Sequence, residues 1–405
     1  MALSKCRGRF RPASAGGPRD YHLPSTASIR PLPRMPKVLL LTAGYGEGHN
    51  AAARGLHAAL TERGADAQII DLFALAGGAF YERSRRDYLA LINRAPRVWA
   101  AVFTLIHHLP VVPLFLPFLG KMRRALAALL AEQQPAAVVS VYPLYAYLIR
   151  QLYPDPAARP FAFHTVVTDS ITINSVWHRA PSDTFLLPND ATAEVLVRAG
   201  VPREKLRTLG FPVPPRFARD RPARPAPPPP RVLYMINAGP DQAPGIVARL
   251  LAIPGLHLTV AYGRDEALRA RLTAAAAGRP LELHGWTPHM PELLMTHHLL
   301  IGKAGGATVQ ESIAAGTPML ITQVVPGQEE GNARLLFENG CGALCPTADA
   351  LATQIEDLFA HDAAGWHQWQ SQIARLAKPD AALRIADFIL SGEGGGNGEW
   401  RVMGG

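Results

Sequence analysis

The sequence predicts an α/β protein of two parallel-sheet domains facing each other across a cleft, and three observations carry that reading. Short continuous apolar runs alternate with helical patterns along most of the chain. Runs that are apolar throughout, rather than at every second residue, belong to strands covered on both faces. The segment 222–230, PARPAPPPP, has six prolines in nine residues, so it enters neither a helix nor a central strand and reads as a stiff spacer. A glycine turn then follows a strand in each half, LLLTAGYGEGHN before the spacer and GKAGGATVQE after it. At 405 residues the chain exceeds one ordinary core, since a domain takes roughly 150 residues.

The elements follow in order. The amino-terminal domain is predicted over 35–219, with a first strand at 37–43, a helix at 49–63, and strands at 67–71, 136–141, 162–168 and 184–187. The linker spans 220–230. The carboxyl-terminal domain covers 231–390, with strands at 231–236, 256–261, 281–284, 299–301 and 319–322 and a closing helix at 381–390. Residues 391–405 form a Gly-rich tail. Residues 1–34 carry seven Arg or Lys against one acid, most of the formal net charge of +9, and read as a basic, disordered tail. Met35 stands directly before the first strand and is a second candidate for the start. Because the charge sits in this tail, no folded basic face is expected, which argues against a nucleic-acid partner. The tail also lacks an apolar core of signal-peptide length. Three cysteines (Cys6, Cys341 and Cys345) make no disulfide framework and point to a reducing compartment, with Cys341 and Cys345 as packing residues.

One stretch departs from the alternation. From Val98 to Gly120 there is no Asp, Glu, Lys or Arg, while Arg83, Arg85, Arg86, Arg94 and Arg97 precede it and Lys121, Arg123 and Arg124 follow. Pro110, Pro113 and Pro117 interrupt it, which argues against a straight spanning helix. An apolar surface rimmed by cations suits the headgroup region of an anionic membrane. On that reading Trp99, Phe103, Phe115, Arg97 and Lys121 meet lipid. A buried hairpin of the core is the competing reading.

The chemistry is expected at the two glycine turns. Gly44, Gly46 and Gly48 lie between the first strand and its helix, where free backbone N–H groups and a positive dipole end collect. The spacing is Gly-x-Gly-x-Gly, and His49 stands where a dinucleotide-binding turn needs its third glycine, although Asp71 ends the second strand as a ribose-binding acid would. A titratable ring at such a tip suits a general base, because an alcohol attacking an anomeric carbon must lose its proton. In the second half, Gly305 and Gly306 lead into a helix whose amides, with the Thr308 hydroxyl, can hold a diphosphate. Glu311 follows one turn later, placed for a ribose. Gln328, Glu329, Glu330 and Asn332 then present an amide beside carboxylates, the mixed donor and acceptor set that sugar hydroxyls require. No Asp-x-Asp pair, the mark of metal-dependent sugar transfer, is present.

With His49 in its glycine turn, KAGGATVQE, PGQEEGN followed by FENGCG, and VVTDSITINSVW at 166–177, the chain resembles the monogalactosyldiacylglycerol synthases and processive diacylglycerol glucosyltransferases over about 36–390. The resemblance implies the GT-B fold of two Rossmann-like domains. It further implies inverting transfer of glucose or galactose from a UDP-sugar to diacylglycerol, without a metal or other cofactor, at the cytoplasmic face of a membrane that the enzyme does not span. By position, Gly305, Gly306 and Thr308 would hold the diphosphate, Glu311 the ribose, Gln328 and Glu329 the hexose, and the backbone near Trp286 and Thr287 the base. His49 would be the base or its partner, with Asp169 the second catalytic candidate and Gly46 and Gly48 on the acceptor side. Two alternatives share this frame: transfer of N-acetylglucosamine to a lipid-linked precursor, and a nucleotide-sugar epimerase.

Overall fold

This computed structural model describes residues 35–392 apart from Asp220, so the tails expected at 1–34 and beyond Gly392 lie outside the described residues. Strands β1 (Lys37–Thr42), β2 (Asp66–Asp71), β3 (Ala137–Ser140), β4 (Ala162–Val166), β5 (Thr184–Leu186) and β6 (Leu206–Arg207) form one sheet, ordered β2-β1-β3-β4-β5-β6. Strands β7 (Arg231–Met235), β8 (His257–Gly263), β9 (Glu282–Gly285), β10 (Leu299–Lys303), β11 (Met319–Gln323) and β12 (Gly342–Leu344) form a second, ordered β12-β11-β10-β7-β8-β9. Every pairing is parallel. The strands expected from apolar runs all appear. The short edge strands β6 and β12 were not expected, because two or three residues leave no apolar run to read.

Parallel strands need crossovers, and the helices that supply them build the core. Leu56 and Leu60 of helix Glu47–Glu62, Val309 and Ile313 of helix Gly306–Ala315, and Ile385 and Ile389 of helix Ala381–Leu390 belong to one continuous buried cluster that also includes residues of both sheets. The carboxyl-terminal helix therefore packs back onto the amino-terminal domain, where Arg63 holds Asp387 through two hydrogen bonds of 2.6 and 2.9 Å. The prolines keep 222–230 out of regular structure, but the segment is fastened rather than free. Arg224 donates to the carbonyls of Ala315 (3.0 Å), Gly316 (2.9 Å) and Met295 (3.1 Å), and Arg221 to those of Ala314 (3.2 Å) and Ala315 (2.9 Å). Two cations thus occupy the negative end of helix Gly306–Ala315, where the last carbonyls lack partners within the helix.

Between β2 and β3 the chain leaves the sheet for a helical excursion: Leu72–Arg94, kinked at Gly78, then Pro96–His108, Val111–Phe115, a 3-10 turn and Gly120–Gln133. This is the charge-free stretch with its flanks. Helix Pro96–His108 has no buried residue, so the stretch is not a buried hairpin of the core. No single helix among the described residues is long and apolar enough to cross a membrane.

A stability test follows from the first helix. A Cβ on Gly55 would lie 1.9 Å from the Pro212 carbonyl oxygen. Gly-to-Ala in a helix ordinarily stabilises by about 1 kcal/mol; Gly55→Ala should instead destabilise by about 1–3 kcal/mol through overpacking, read as a lower midpoint in urea. An unchanged or higher midpoint would show that the helix and the 211–213 segment are not in contact.

Candidate active site

In each sheet the chain order reverses once, between β1 and β3 and between β7 and β10, and the crevice outside the strand ends at such a point is where α/β sheets bind ligand. The first glycine turn leaves β1 at the first of these crevices. Gly44 N–H donates to Asp71 Oδ2 (2.9 Å), the Ala74 amide to Asp71 Oδ1 (3.0 Å), and the Tyr81 hydroxyl to Oδ2 (3.3 Å). Both oxygens of Asp71 are spent on the protein, which removes it as a ribose ligand. His49 sits in the first turn of helix Glu47–Glu62, its Nδ1 3.0 Å from the Thr168 hydroxyl, edge-on to Tyr142 and beside Trp177. Burial lowers its pKa to about 4, against the opposing pull of the Val141 carbonyl. The ring is therefore neutral at physiological pH. Asp169 accepts from Trp177 Nε1 (3.0 Å), and burial raises its carboxyl to about 6, with the charge of Glu329 pushing the same way and the Trp177 bond opposing it.

The second crevice holds the other glycine turn. Gly305 has extended backbone angles and helix Gly306–Ala315 starts without a side-chain cap, so its first amides and its dipole face the crevice. Asn237, in the turn after β7, accepts from Lys303 N–H (2.9 Å) and donates to the Thr308 hydroxyl (3.4 Å), tying the two strand ends together. Sequence reasoning missed Asn237. Its signal was an amide residue directly after a strand, in INAGPDQ. Lys303 Nζ lies 2.5 Å from Glu329 Oε1, and Glu329 Oε2 accepts from the Val325 amide (2.9 Å). Gln328 Oε1 accepts from the Tyr88 hydroxyl (3.1 Å). Glu311 is half-buried near Arg54 and Glu47 of the first helix; burial raises its carboxyl to about 7, Arg54 opposing and Glu47 adding. Trp286 and Thr287 follow the edge strand β9, two strands out from β7. Trp286 is 66% exposed with the Arg264 guanidinium 5.1 Å over its ring, and the Thr287 hydroxyl accepts from the His289 amide.

The two turns meet backbone to backbone. A Cβ on Gly48 would stand 4.0 Å from the Ala307 amide nitrogen, one on Gly306 2.9 Å from the Thr168 carbonyl oxygen, and one on Gly331 1.9 Å from that of Ser170. Gly46 faces His49. Asn332 bridges the seam, accepting from the Ser170 amide (3.2 Å) and donating to the Ala304 carbonyl (3.2 Å).

A cavity of about 910 Å³ opens beside this seam. His49, Asp169 and Gln328 line it together with Tyr88, Trp99, Phe103, Val112, Phe115, Phe118 and Met122, so an apolar chamber ends in a small polar cluster. Leu114, Phe115 and Phe118 are 71%, 60% and 80% exposed, and Arg97 and Lys121 are exposed as well. Cys341 and Cys345 are both buried, and burial raises the Cys341 thiol to about 12. Among the described residues no three His, Cys, Asp or Glu side chains are grouped to hold a metal ion.

Comparison with known proteins gives the same frame. A family model described as monogalactosyldiacylglycerol (MGDG) synthase matches residues 49–213. A probable chloroplastic monogalactosyldiacylglycerol synthase of Glycine max is 27% identical, covering 86% of this chain and 70% of the relative. A processive diacylglycerol beta-glucosyltransferase of Bacillus cytotoxicus is 24% identical over 88% of this chain and 93% of its own length. Among solved structures, MurG of Acinetobacter baumannii superposes with a TM-score of 0.58 at 16% identity, over 88% of this chain and 99% of that one. The calicheamicin glycosyltransferase CalG4 does so with 0.55 at 15% identity, over 88% and 99%. These two carry the fold alone, and it is GT-B. Over most of its length the chain is thus similar to monogalactosyldiacylglycerol synthases and processive diacylglycerol glucosyltransferases.

Proposed function

We propose that this hexosyltransferase moves glucose or galactose from a UDP-sugar to the free hydroxyl of diacylglycerol, inverting the anomeric carbon, while seated on an anionic membrane. The observation that carries the reading is the cavity: an apolar chamber lined by the exposed Phe115 and Phe118 and, together with them, by the polar His49, Asp169 and Gln328. Acyl chains suit the chamber, and the glycerol hydroxyl would then lie at the polar end. A soluble nucleotide-sugar epimerase has no use for such a chamber.

The chemistry is a single displacement. The glycerol oxygen attacks the anomeric carbon, the bond from that carbon to the diphosphate oxygen breaks, and UDP leaves with the electron pair. The hydroxyl proton passes to His49, which is neutral and able to accept it, with Asp169 lining the same cavity. The amides opening helix Gly306–Ala315, the Thr308 hydroxyl and Lys303 would meet the charge on the leaving diphosphate, preorganised donors in a site short of water. Glu311 would hold the ribose, Gln328 and Glu329 the hexose, and the turn at Trp286 and Thr287 the base. Arg97 and Lys121, exposed at the rim, would face anionic headgroups while Trp99 and Phe103 line the chamber behind them.

Vesicles containing diacylglycerol, supplied with labelled UDP-glucose, UDP-galactose or UDP-N-acetylglucosamine, test the reading directly. Labelled glycolipid from one of the two hexoses is expected; label only from UDP-N-acetylglucosamine would overturn it in favour of the alternative transfer.

His49→Ala should lower kcat at least about a hundredfold with donor affinity retained, and a variant keeping most of its turnover would take His49 out of the mechanism. The pH profile of kcat/KM should show an acid limb near 6, as Asp169 takes up a proton, and a lower one near 4 for His49. Asp169→Asn should lose the upper limb; a profile unchanged by that substitution would exclude Asp169. Phe118→Asp, on an exposed side chain, should weaken flotation with anionic vesicles about tenfold or more while leaving the unfolding midpoint in place. Full flotation by the variant would put the membrane face elsewhere.

A further inference from the structure

Tyr88 belongs to neither glycine turn, yet its hydroxyl ties the acceptor side to the donor-sugar loop. It lies on helix Leu72–Arg94, half-buried, with its ring edge-on to Trp99 (5.1 Å between centroids) and to Tyr45 (5.9 Å). Its hydroxyl crosses the cleft to donate to Gln328 Oε1 at 3.1 Å. The loop that carries Gln328 is braced from the same side. Gly327 has φ +79°, and a Cβ there would lie 2.9 Å from Phe103 of helix Pro96–His108, whose backbone carbonyl accepts from Asn174.

A side-chain amide has one accepting end and one donating end, and the partner of one end decides what the other presents. We propose that Tyr88 is a positioning residue for donor recognition: by occupying the Gln328 carbonyl, it turns the Gln328 NH2 group toward the hexose and so fixes which sugar hydroxyls are read. The inference rests on the proposed hexose transfer and on Gln328 as a sugar contact. The hydroxyl is a dependable donor, because burial raises Tyr88 to about 12, with the carboxylates Asp169 and Glu329 pushing the same way and only the Gln328 bond opposing them. Released from this bond, the amide can turn over and offer its carbonyl instead, so hexoses differing in the direction of one hydroxyl are told apart less well. Tyr88 also lines the acceptor chamber, so the same side chain faces the lipid on one side and sets the sugar contact on the other.

Tyr88→Phe keeps the ring and its packing while removing the hydrogen bond. Steady-state rates on diacylglycerol vesicles would be measured with UDP-glucose and UDP-galactose for the wild type, Tyr88→Phe, Gln328→Ala and the double variant. The variant should raise the KM of the preferred donor about three- to tenfold, the weight of one hydrogen bond, with kcat within about twofold. The ratio of kcat/KM between the two donors should fall by a similar factor. On the Gln328→Ala background Tyr88→Phe should add nothing, since residues acting through one contact are not additive. An unchanged donor KM and ratio in Tyr88→Phe, or a full effect persisting without Gln328, would overturn the role of Tyr88 and leave the transfer reading intact. No turnover of either donor by the wild type would overturn both.

Discussion

Everything functional here depends on two lengths of backbone lying nearly in contact. Around Gly48, Gly306 and Gly331 the two domains approach at backbone distance, carbonyl oxygens of Thr168 and Ser170 standing where a Cβ on Gly306 or Gly331 would have to go. Close approach of this kind places the uncapped amides of helix Gly306–Ala315 within a few ångströms of the turn that carries His49. It also restricts Gly306 and Gly331 to glycine for reasons of volume rather than backbone angle, as neither has a positive φ. Asn332 and Gln310 complete the seam through Ser170, its amide donating to Asn332 Oδ1 and its hydroxyl accepting from Gln310 Nε2. Polar pairing across the seam leaves the buried groups satisfied when the domains are together.

The fold was legible because parallel strands buried on both faces leave an unbroken apolar signature that chain order does not blur. KVLLLT and LLIGK declare themselves. The edge strands Leu206–Arg207 and Gly342–Leu344 do not, since their backbone pairing is paid for by neighbours and not by their own side chains. Most of the candidate site was legible for a related reason: glycine turns at strand ends are local features. What escaped reading was long-range pairing. Asp71 looked like a possible ribose ligand until the Gly44 amide and the Tyr81 hydroxyl were seen to occupy it. Asn237 acquires its partners only when β7 and β10 become neighbours, 66 residues apart in the case of Lys303. The arginines of the proline segment are equally silent in sequence, because the carbonyls they bind exist as open acceptors only once a helix ends beside them.

The excursion between β2 and β3 gives a nucleotide-type fold an apolar chamber. Helix Pro96–His108 has no buried residue, while Val112, Leu116, Met122, Leu126 and Leu130 further along are buried, so the excursion is anchored in the core at one end and lends apolar side chains to the wall of one chamber. Exposure on this scale is a liability for a protein surrounded only by water, and the exposed Leu114, Phe115 and Phe118 suit a surface that meets another phase. The aromatic rings of Tyr45, Tyr142, Phe73 and Tyr81 line the same wall, Tyr45 stacked on Tyr142 and the other contacts edge-on.

The chain passes between the halves twice, once through the arginine-pinned segment and once just before helix Ala381–Leu390. Two fixed crossings define an axis. A separation of the halves that keeps both crossings in place turns about that line, and the cleft then widens most on the side away from it.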